Sequence, residues 1–210
     1  MEELNRELLR VTRQAYEARL FAGISGNLSA YDPENGRMVI TPTRTMYETM
    51  GLTDMVWMEL SGRVLSGHRK PSIEWPLHAA IYRQRPDVHA IVHTHSPYAT
   101  ALSVNYEKIP VILMEMSIWL GGEVDLAPFP QMGTEEAGMA AVGALRDRGA
   151  CLLQNHGALT IGENLEQAYI RAVYLEDVAR VYLLAKSGGD VKAIPEYRVR
   201  QIKENAIEGY

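Results

Sequence analysis

The run Ala90-Ile91-Val92-His93-Thr94-His95 decides how this chain is read. It is short, apolar and β-branched, the composition of a buried strand. Residues two apart on a strand face the same way, so His93 and His95 present their imidazoles on one face. Two readings are open for such a pair: hydrogen-bonded strand histidines, or two nitrogen ligands converging on one divalent transition metal. Pro97 permits a helix to start directly afterwards and run to about Val104.

Upstream, Glu74 to Arg85 reads as a helix stopped by Pro86. Residues 55–60 and 63–65 read as a strand pair around Ser61-Gly62, and 28–31 with 38–41 as strands flanking Asp32-Pro33-Glu34-Asn35-Gly36. Leu4, Leu8, Val11, Tyr16 and Leu20 give residues 2–21 an amphipathic helix that ends near Gly23. Downstream, Val111 to Met116 is a strand candidate, 134–147 a helix, and Ala150 to Gln154 a strand leading to His156-Gly157. A long helix over 164–186 ends at Gly188-Gly189, and the polar last twenty or so residues read as a short helix with a tail. Strands and helices mix without strict βαβ alternation, which makes the chain α/β with a mixed sheet.

With 210 residues, the chain suits one domain, residues 1–210, in which 195–210 form the tail. Lys and Arg number 21 against 26 Asp and Glu, for a net charge of −5, and the basic residues are not clustered. Nucleic acid is therefore not an expected partner. No apolar run approaches the ~18 residues that span a bilayer, so no membrane is expected either. The single cysteine, Cys151, excludes an intramolecular disulfide and reads as a small core residue. The opening Met-Glu-Glu-Leu-Asn-Arg lacks the order of a signal peptide, and a cytoplasmic protein is expected.

Other residues add to the histidine pair. His156, in Gln154-Asn155-His156-Gly157, emerges at a strand end, and Glu74 lies at a helix start, in Pro71-Ser72-Ile73-Glu74-Trp75. Three histidines and a carboxylate suit a catalytic metal with room for a substrate oxygen. His78, one helical turn after Glu74, is a fifth candidate, whereas His68 and His89 read as surface residues. The turn Gly23-Ile24-Ser25-Gly26-Asn27 has the glycines and donors of an anion site, or of a plain helix-to-strand turn. Thr41-Pro42-Thr43-Arg44-Thr45 carries hydroxyls and one cation, and Arg44 either clamps a phosphate or carboxylate or is a solvated surface side chain.

Taken in order, Gly-x-Ser-Gly-Asn, Ile-Thr-Pro-Thr, Lys-Pro-Ser-x-Glu-Trp, His-x-His and Asn-His-Gly resemble the class II sugar-phosphate aldolase and epimerase family, over about residues 5–185. The resemblance implies a single α/β domain whose central, mostly antiparallel sheet lies between helix layers. It also implies a homotetramer with sites between subunits. Its ligand set would be His93, His95 and His156, joined by Glu74 in the resting enzyme, around one divalent ion per subunit, zinc or manganese. Glu74 would be the catalytic acid/base group, and Ser25, Gly26, Asn27, Thr43 and Ser72 would line the phosphate site. Relatives of the epimerase type tend to carry Asp where Glu74 stands, so the residue points to an aldolase.

The implied substrate is a sugar phosphate, a ketose 1-phosphate cleaved at C3–C4 to dihydroxyacetone phosphate and an aldehyde. A dehydratase or decarboxylase on the same scaffold, and a non-catalytic module like the adducin head, are the alternatives. The chain departs from the family in two places: Arg44 replaces a glycine and Ile73 a second serine. Arg44 is expected to take over the lost phosphate contacts. Met114-Glu115-Met116-Ser117-Ile118-Trp119-Leu120 lacks a tyrosine found in fuculose-type aldolases. It reads either as core or interface packing, or as an apolar aldehyde pocket for 5-deoxy- or 5-methylthioribulose 1-phosphate alongside fuculose 1-phosphate. Tyr210 is a candidate proton donor if the tail closes over the site, a disordered end being the alternative.

Overall fold

The computed structural model describes every residue except 106, 129, 130, 132 and 210, and leaves out the side chains of 207–209 as well. Eight strands form one sheet: β1 (Asn27–Asp32), β2 (Arg37–Ile40), β3 (Val56–Glu59), β4 (Val64–Ser66), β5 (Ala90–Thr94), β6 (Asp125–Ala127), β7 (Ala150–Leu153) and β8 (Gly157–Gly162). Their order across the sheet is β4-β3-β2-β1-β5-β8-β7-β6. Every pairing is antiparallel except β6 with β7, so the sheet is mixed and mostly antiparallel, as expected.

Alternation along the strands sends side chains into two cores. Met38, Ile40, Val56, Met58, Ile91 and Leu159 pack beneath α2 (Trp75–Gln84) and α4 (Glu135–Leu145). On the opposite face, Leu28, Val39, Trp57 and Val92 pack against α1 (Glu2–Glu17) and the first half of α5 (Leu165–Ser187). The second half of α5 joins α3 (Pro97–Val104) over Ala150, Leu152 and Ala158. The sheet thus lies between helix layers, with buried residues on both faces. Cys151 is a fully buried core residue of the first layer.

Several boundaries differ from the sequence reading. Helix α1 stops at Glu17 rather than near Gly23, because Arg19 turns left-handed (φ 59) and the Leu20 N–H folds back to the Ala15 carbonyl at 3.0 Å. Residues 111–116 are not a strand. The Val111 carbonyl accepts from the Ile194 N–H, and the Ile112 N–H faces the Met116 sulfur, which leaves no ladder partner. A π-helical turn, Met116–Leu120, follows. β6 and β8 are strands absent from the sequence reading, and β8 supplies the buried run Gly-Ala-Leu-Thr-Ile-Gly. The chain end is a helix, α6 (Glu196–Gly209), rather than a short helix with a tail. Lys203 Nζ docks it by donating to the Gly121 carbonyl at 2.6 Å. Tyr210, the candidate proton donor, lies outside the described residues. Among the described residues no helix is long and apolar enough to cross a membrane.

Register gathers the chain reversals at one edge. Asn27 at the start of β1 pairs with His93 near the end of β5, and Thr94 pairs with Ala158 at the start of β8. Thr41, just past β2, exchanges hydrogen bonds with Leu28. Gly157 sits where β8 crosses β5, and a Cβ there would lie 2.2 Å from the Thr94 carbonyl oxygen. Gly157→Ala therefore forces the β5–β8 ladder apart, an overpacking cost of about 1–3 kcal/mol or more. A matching drop in the urea midpoint checks this, and an unchanged midpoint would show that the ladder relaxes freely.

Candidate active site

The three predicted histidines meet. His93 ends β5 on the face toward α2, His95 follows one pleat later, and His156 projects from the β7–β8 turn, where Asn155 takes a left-handed φ of 54. One ligand nitrogen from each lies within 4.8 Å of the others. His93 is fully buried, and its Nε2 stands 3.1 Å from His95 Nε2. Its Nδ1–H donates to the Ala158 carbonyl at 2.9 Å, which turns Nε2 toward the cluster.

Glu74 closes the group from the start of α2. Its Oε2 lies 3.2 Å from His93 Nε2 and its Oε1 3.5 Å from His156 Nε2. It is 5% exposed. Burial pushes its carboxyl up, but the facing His93 charge and hydrogen bond, with His156 and the Asn27 amide, outweigh this and hold it below the usual carboxylate range. Burial opposes a proton on His93, yet the Glu74 charge prevails and raises its pKa. His95 is lowered to about 3 and His156 to about 4, first by burial and then by the His93 charge, so both are neutral imidazoles at neutral pH.

These residues fit a divalent ion. Glu74 Oε1 and His156 Nε2 are buried without a hydrogen-bond partner among the described residues, an arrangement that costs free energy unless something further binds them. The donor set of three imidazole nitrogens and a carboxylate suits zinc or manganese. His78 does not join the cluster: its Nε2 lies 2.6 Å from Asn27 Oδ1 and its Nδ1 2.6 Å from Ser29 Oγ. His68 pairs with Asp54 at 3.3 Å on the surface, and His89 is half-buried.

The expected anion-site residues come from three segments around this cluster. Thr43 N–H donates to the Lys70 carbonyl and Ser72 N–H to the Thr41 carbonyl, with a bridge between Pro42 and Pro71, so Thr43 and Ser72 lie on adjoining strands of chain. Ser72 Oγ accepts from the Glu74 N–H at 3.3 Å. The Ser25 and Gly26 carbonyls are held by the Tyr47 hydroxyl, at 3.0 and 2.6 Å. Gly26 has φ 85, and a Cβ there would come within 2.8 Å of the His93 carbonyl oxygen, which explains the glycine at this turn. The Asn27 amide nitrogen donates to Glu74 Oε2 at 2.7 Å and its oxygen faces His78. Arg44 is exposed with φ 52, the left-handed conformation that glycine adopts without strain.

A family model described as the class II aldolase and adducin N-terminal domain matches residues 6–183. The chain belongs to this family. It is 32% identical to a 5-deoxy-D-ribulose 1-phosphate aldolase of Bacillus thuringiensis serovar kurstaki, over all of this chain and 98% of that one. It is 31% identical to a 5-methylthioribulose-1-phosphate/5-deoxyribulose-1-phosphate aldolase of Rhodospirillum rubrum, over 96% of this chain and 90% of that one. A solved L-fuculose 1-phosphate aldolase superposes with a TM-score of 0.93 at 33% identity, covering 97% of this chain and 95% of that one. These relatives support the aldolase reading of the class II motifs.

The apolar segment 114–120 is divided between core and surface. Met116 and Leu120 are fully buried in the core beneath α3 and α5, and Trp119 stacks on Tyr174 at 5.4 Å, while Met114 is exposed. The Met116 thioether and the Trp119 indole thus pack within the subunit, whereas the Met114 thioether faces outward. Residues missed in the sequence are Ser29, Tyr47 and Tyr82. The signal for Ser29 and Tyr82 was polar side chains at alternate strand positions (Asn27, Ser29, Tyr31) and at every fourth helix position (Glu74, His78, Tyr82), whereas Tyr47, between elements, carried none.

His78 is fully buried and, chiefly by burial, lowered to about 3, against an ordinary 6.5. Between these values the unfolded chain binds a proton that the folded chain refuses, so the contribution is complete above the ordinary value and is lost as pH falls. In metal-free protein, His78→Gln therefore flattens the acid-side fall of unfolding free energy by about 1.4 kcal/mol per pH unit. Urea midpoints measured across this window check it, and equal slopes in the two proteins would show that the His78 ring is protonated in the folded state.

Proposed function

We propose that the chain is a divalent-metal-dependent aldolase that cleaves a ketose 1-phosphate to dihydroxyacetone phosphate and a short aldehyde. The favoured substrates are 5-deoxy- and 5-methylthio-pentulose 1-phosphates, with L-fuculose 1-phosphate beside them. The observation that carries this reading is a buried, ionised Glu74 set 3.2 and 3.5 Å from two of three converging imidazoles. The names of the full-length relatives support the choice of substrates.

His93, His95 and His156 would hold zinc or manganese, with Glu74 as a further ligand in the resting enzyme; the ion would supply Lewis-acid stabilisation of charge developing on the substrate oxygens. Breaking C3–C4 turns the C4 hydroxyl into the aldehyde carbonyl, with release of the hydroxyl proton. It leaves an electron pair on C3, the carbon that takes up a proton to become the hydroxymethyl group of dihydroxyacetone phosphate. Glu74 is the group that moves the proton at that carbon, and Oε1, which has no hydrogen-bond partner among the described residues, is the atom available for it. Such general acid/base work typically contributes ~10²–10⁴-fold. Ser25, Gly26, Asn27, Thr43 and Ser72 line the phosphate site. Arg44 joins them, since a charge-assisted guanidinium contact is about twice as strong as a neutral one and offsets the hydroxyl lost at Ile73.

The working form is a homotetramer in the cytoplasm with sites between subunits. Ile24, Met46 and Ile73 support this, being exposed apolar side chains on the three segments that border the site. Such a rim is suited to a second subunit.

A coupled assay for dihydroxyacetone phosphate, run on ketose 1-phosphates with zinc or manganese and with chelator, tests the reaction. Chelator-sensitive release is expected from the 5-deoxy and 5-methylthio sugars, and no release from any ketose phosphate would remove the aldolase reading. Glu74→Gln is expected to keep fold and metal while losing ~10²-fold or more in turnover. Wild-type turnover in that variant would end the acid/base assignment. Arg44→Ala is expected to raise KM for phosphorylated substrates with metal content unchanged, and an unaltered KM would return Arg44 to the surface.

A further inference from the structure

Helix α2 lies lengthwise over β1, and the two match in pitch. Four helical residues rise about 6 Å and two strand residues about 6.6 Å. Glu74, His78 and Tyr82 therefore sit over Asn27, Ser29 and Tyr31. The polar atoms interleave: Asn27 Nδ2 to Glu74 Oε2 at 2.7 Å, His78 Nε2 to Asn27 Oδ1 at 2.6 Å, Ser29 Oγ to His78 Nδ1 at 2.6 Å, and Tyr82 hydroxyl to Ser29 Oγ at 2.7 Å. Asn27, Ser29, His78 and Tyr82 are all buried. Tyr31 closes the row by stacking on the Tyr82 ring at 5.0 Å.

Donor and acceptor roles follow from one end. An ionised carboxylate only accepts, so Asn27 must turn its amide nitrogen to Glu74 and its oxygen to His78. The oxygen only accepts, so His78 carries its proton on Nε2. Its bare Nδ1 takes the Ser29 hydroxyl proton, and the Tyr82 hydroxyl donates to Ser29. Every donor points toward Glu74, and aligned hydrogen bonds of this kind polarise one another in a low-dielectric interior. The chain satisfies Oε2 and leaves Oε1, 3.5 Å from His156 Nε2, without a hydrogen-bond partner among the described residues.

We propose that His78 is a positioning residue for Glu74. It fixes the Asn27 carboxamide, and through it one carboxylate oxygen, so that the other is free and aimed for proton transfer. Its catalytic consequence rests on the reading of Glu74 as the acid/base group; the hydrogen-bond chain itself does not.

The test has two arms. In metal-free protein, nitrogen-15 NMR of the histidine rings is expected to show His78 with a protonated Nε2 and a bare Nδ1. The Asn27 amide protons are expected to shift downfield, to lose that shift in His78→Leu, and to keep it in His78→Gln, which retains a donor. A proton on Nδ1, or Asn27 signals indifferent to His78→Leu, would overturn the proposal whatever the enzyme cleaves. In metal-loaded enzyme, His78→Leu is expected to lower kcat by ~10–100-fold, with KM and bound metal unchanged, and His78→Gln to recover most of the loss. In a Glu74→Gln background, His78→Leu should cost nothing further, since the two act through one group. A full additional loss there, or kcat falling only in step with bound metal, would make His78 merely structural. If the wild type cleaves no ketose phosphate, the aldolase reading fails and the NMR arm alone decides the positioning.

Discussion

Burying the charge of Glu74 is the constraint on which the site depends. A carboxylate removed from water costs several kcal/mol unless it is paired and hydrogen-bonded. Here the compensation comes from three side chains on different elements: Asn27 at the head of β1, His93 on β5 and His156 in the β7–β8 turn. Glu74 itself starts α2, and its neighbour Ser72 binds its backbone N–H. Every element around the site is thereby held to a position that keeps one charge solvated by protein.

The sheet makes this compensation possible. Its central strands run antiparallel, so the start of β1, the end of β2, the end of β5 and the start of β8 fall at the same edge. That edge collects the Gly23–Asn27 turn, the Thr41–Thr45 loop and the histidines, which are far apart in the chain. Close approach there is strict, since Gly26 lies against the His93 carbonyl and Gly157 against the Thr94 carbonyl. The same geometry that crowds the backbone leaves the side chains of His93, His95, His156 and Glu74 converging. The apolar cores on both faces keep the edge from shifting.

Most elements were legible, and the failures have local causes. Strands with flanking turns, such as β1, β2 and β3, and helices with proline boundaries, such as α2 and α3, carry their own signals. Residues 111–116 look like a strand because they are apolar, but no neighbouring strand is placed to receive them. β8 escaped notice because a glycine stands at each end and a histidine just before it, although its interior is apolar and β-branched. The metal-ligand candidates were legible from pattern and resemblance together. The Asn27 side chain was not, since an asparagine in a glycine-rich turn suits an anion as well as a carboxylate.

From sequence alone came the class of the fold, the histidine pair on one strand face, the placing of Glu74 at a helix start and the likeness to a family of metal-dependent aldolases. These are properties of short stretches, set by periodicity, proline and glycine placement and residue chemistry. The tertiary structure alone decided that His78 is a partner of Asn27 rather than a member of the histidine cluster, that Met116 and Leu120 are core while Met114 is exposed, and that Asn27 holds one oxygen of Glu74 while the other faces His156. The reason is physical: which of several possible partners a buried polar group takes depends on distances between elements distant in sequence. Those distances are fixed only when α2 settles over β1 with its pitch matched to the strand.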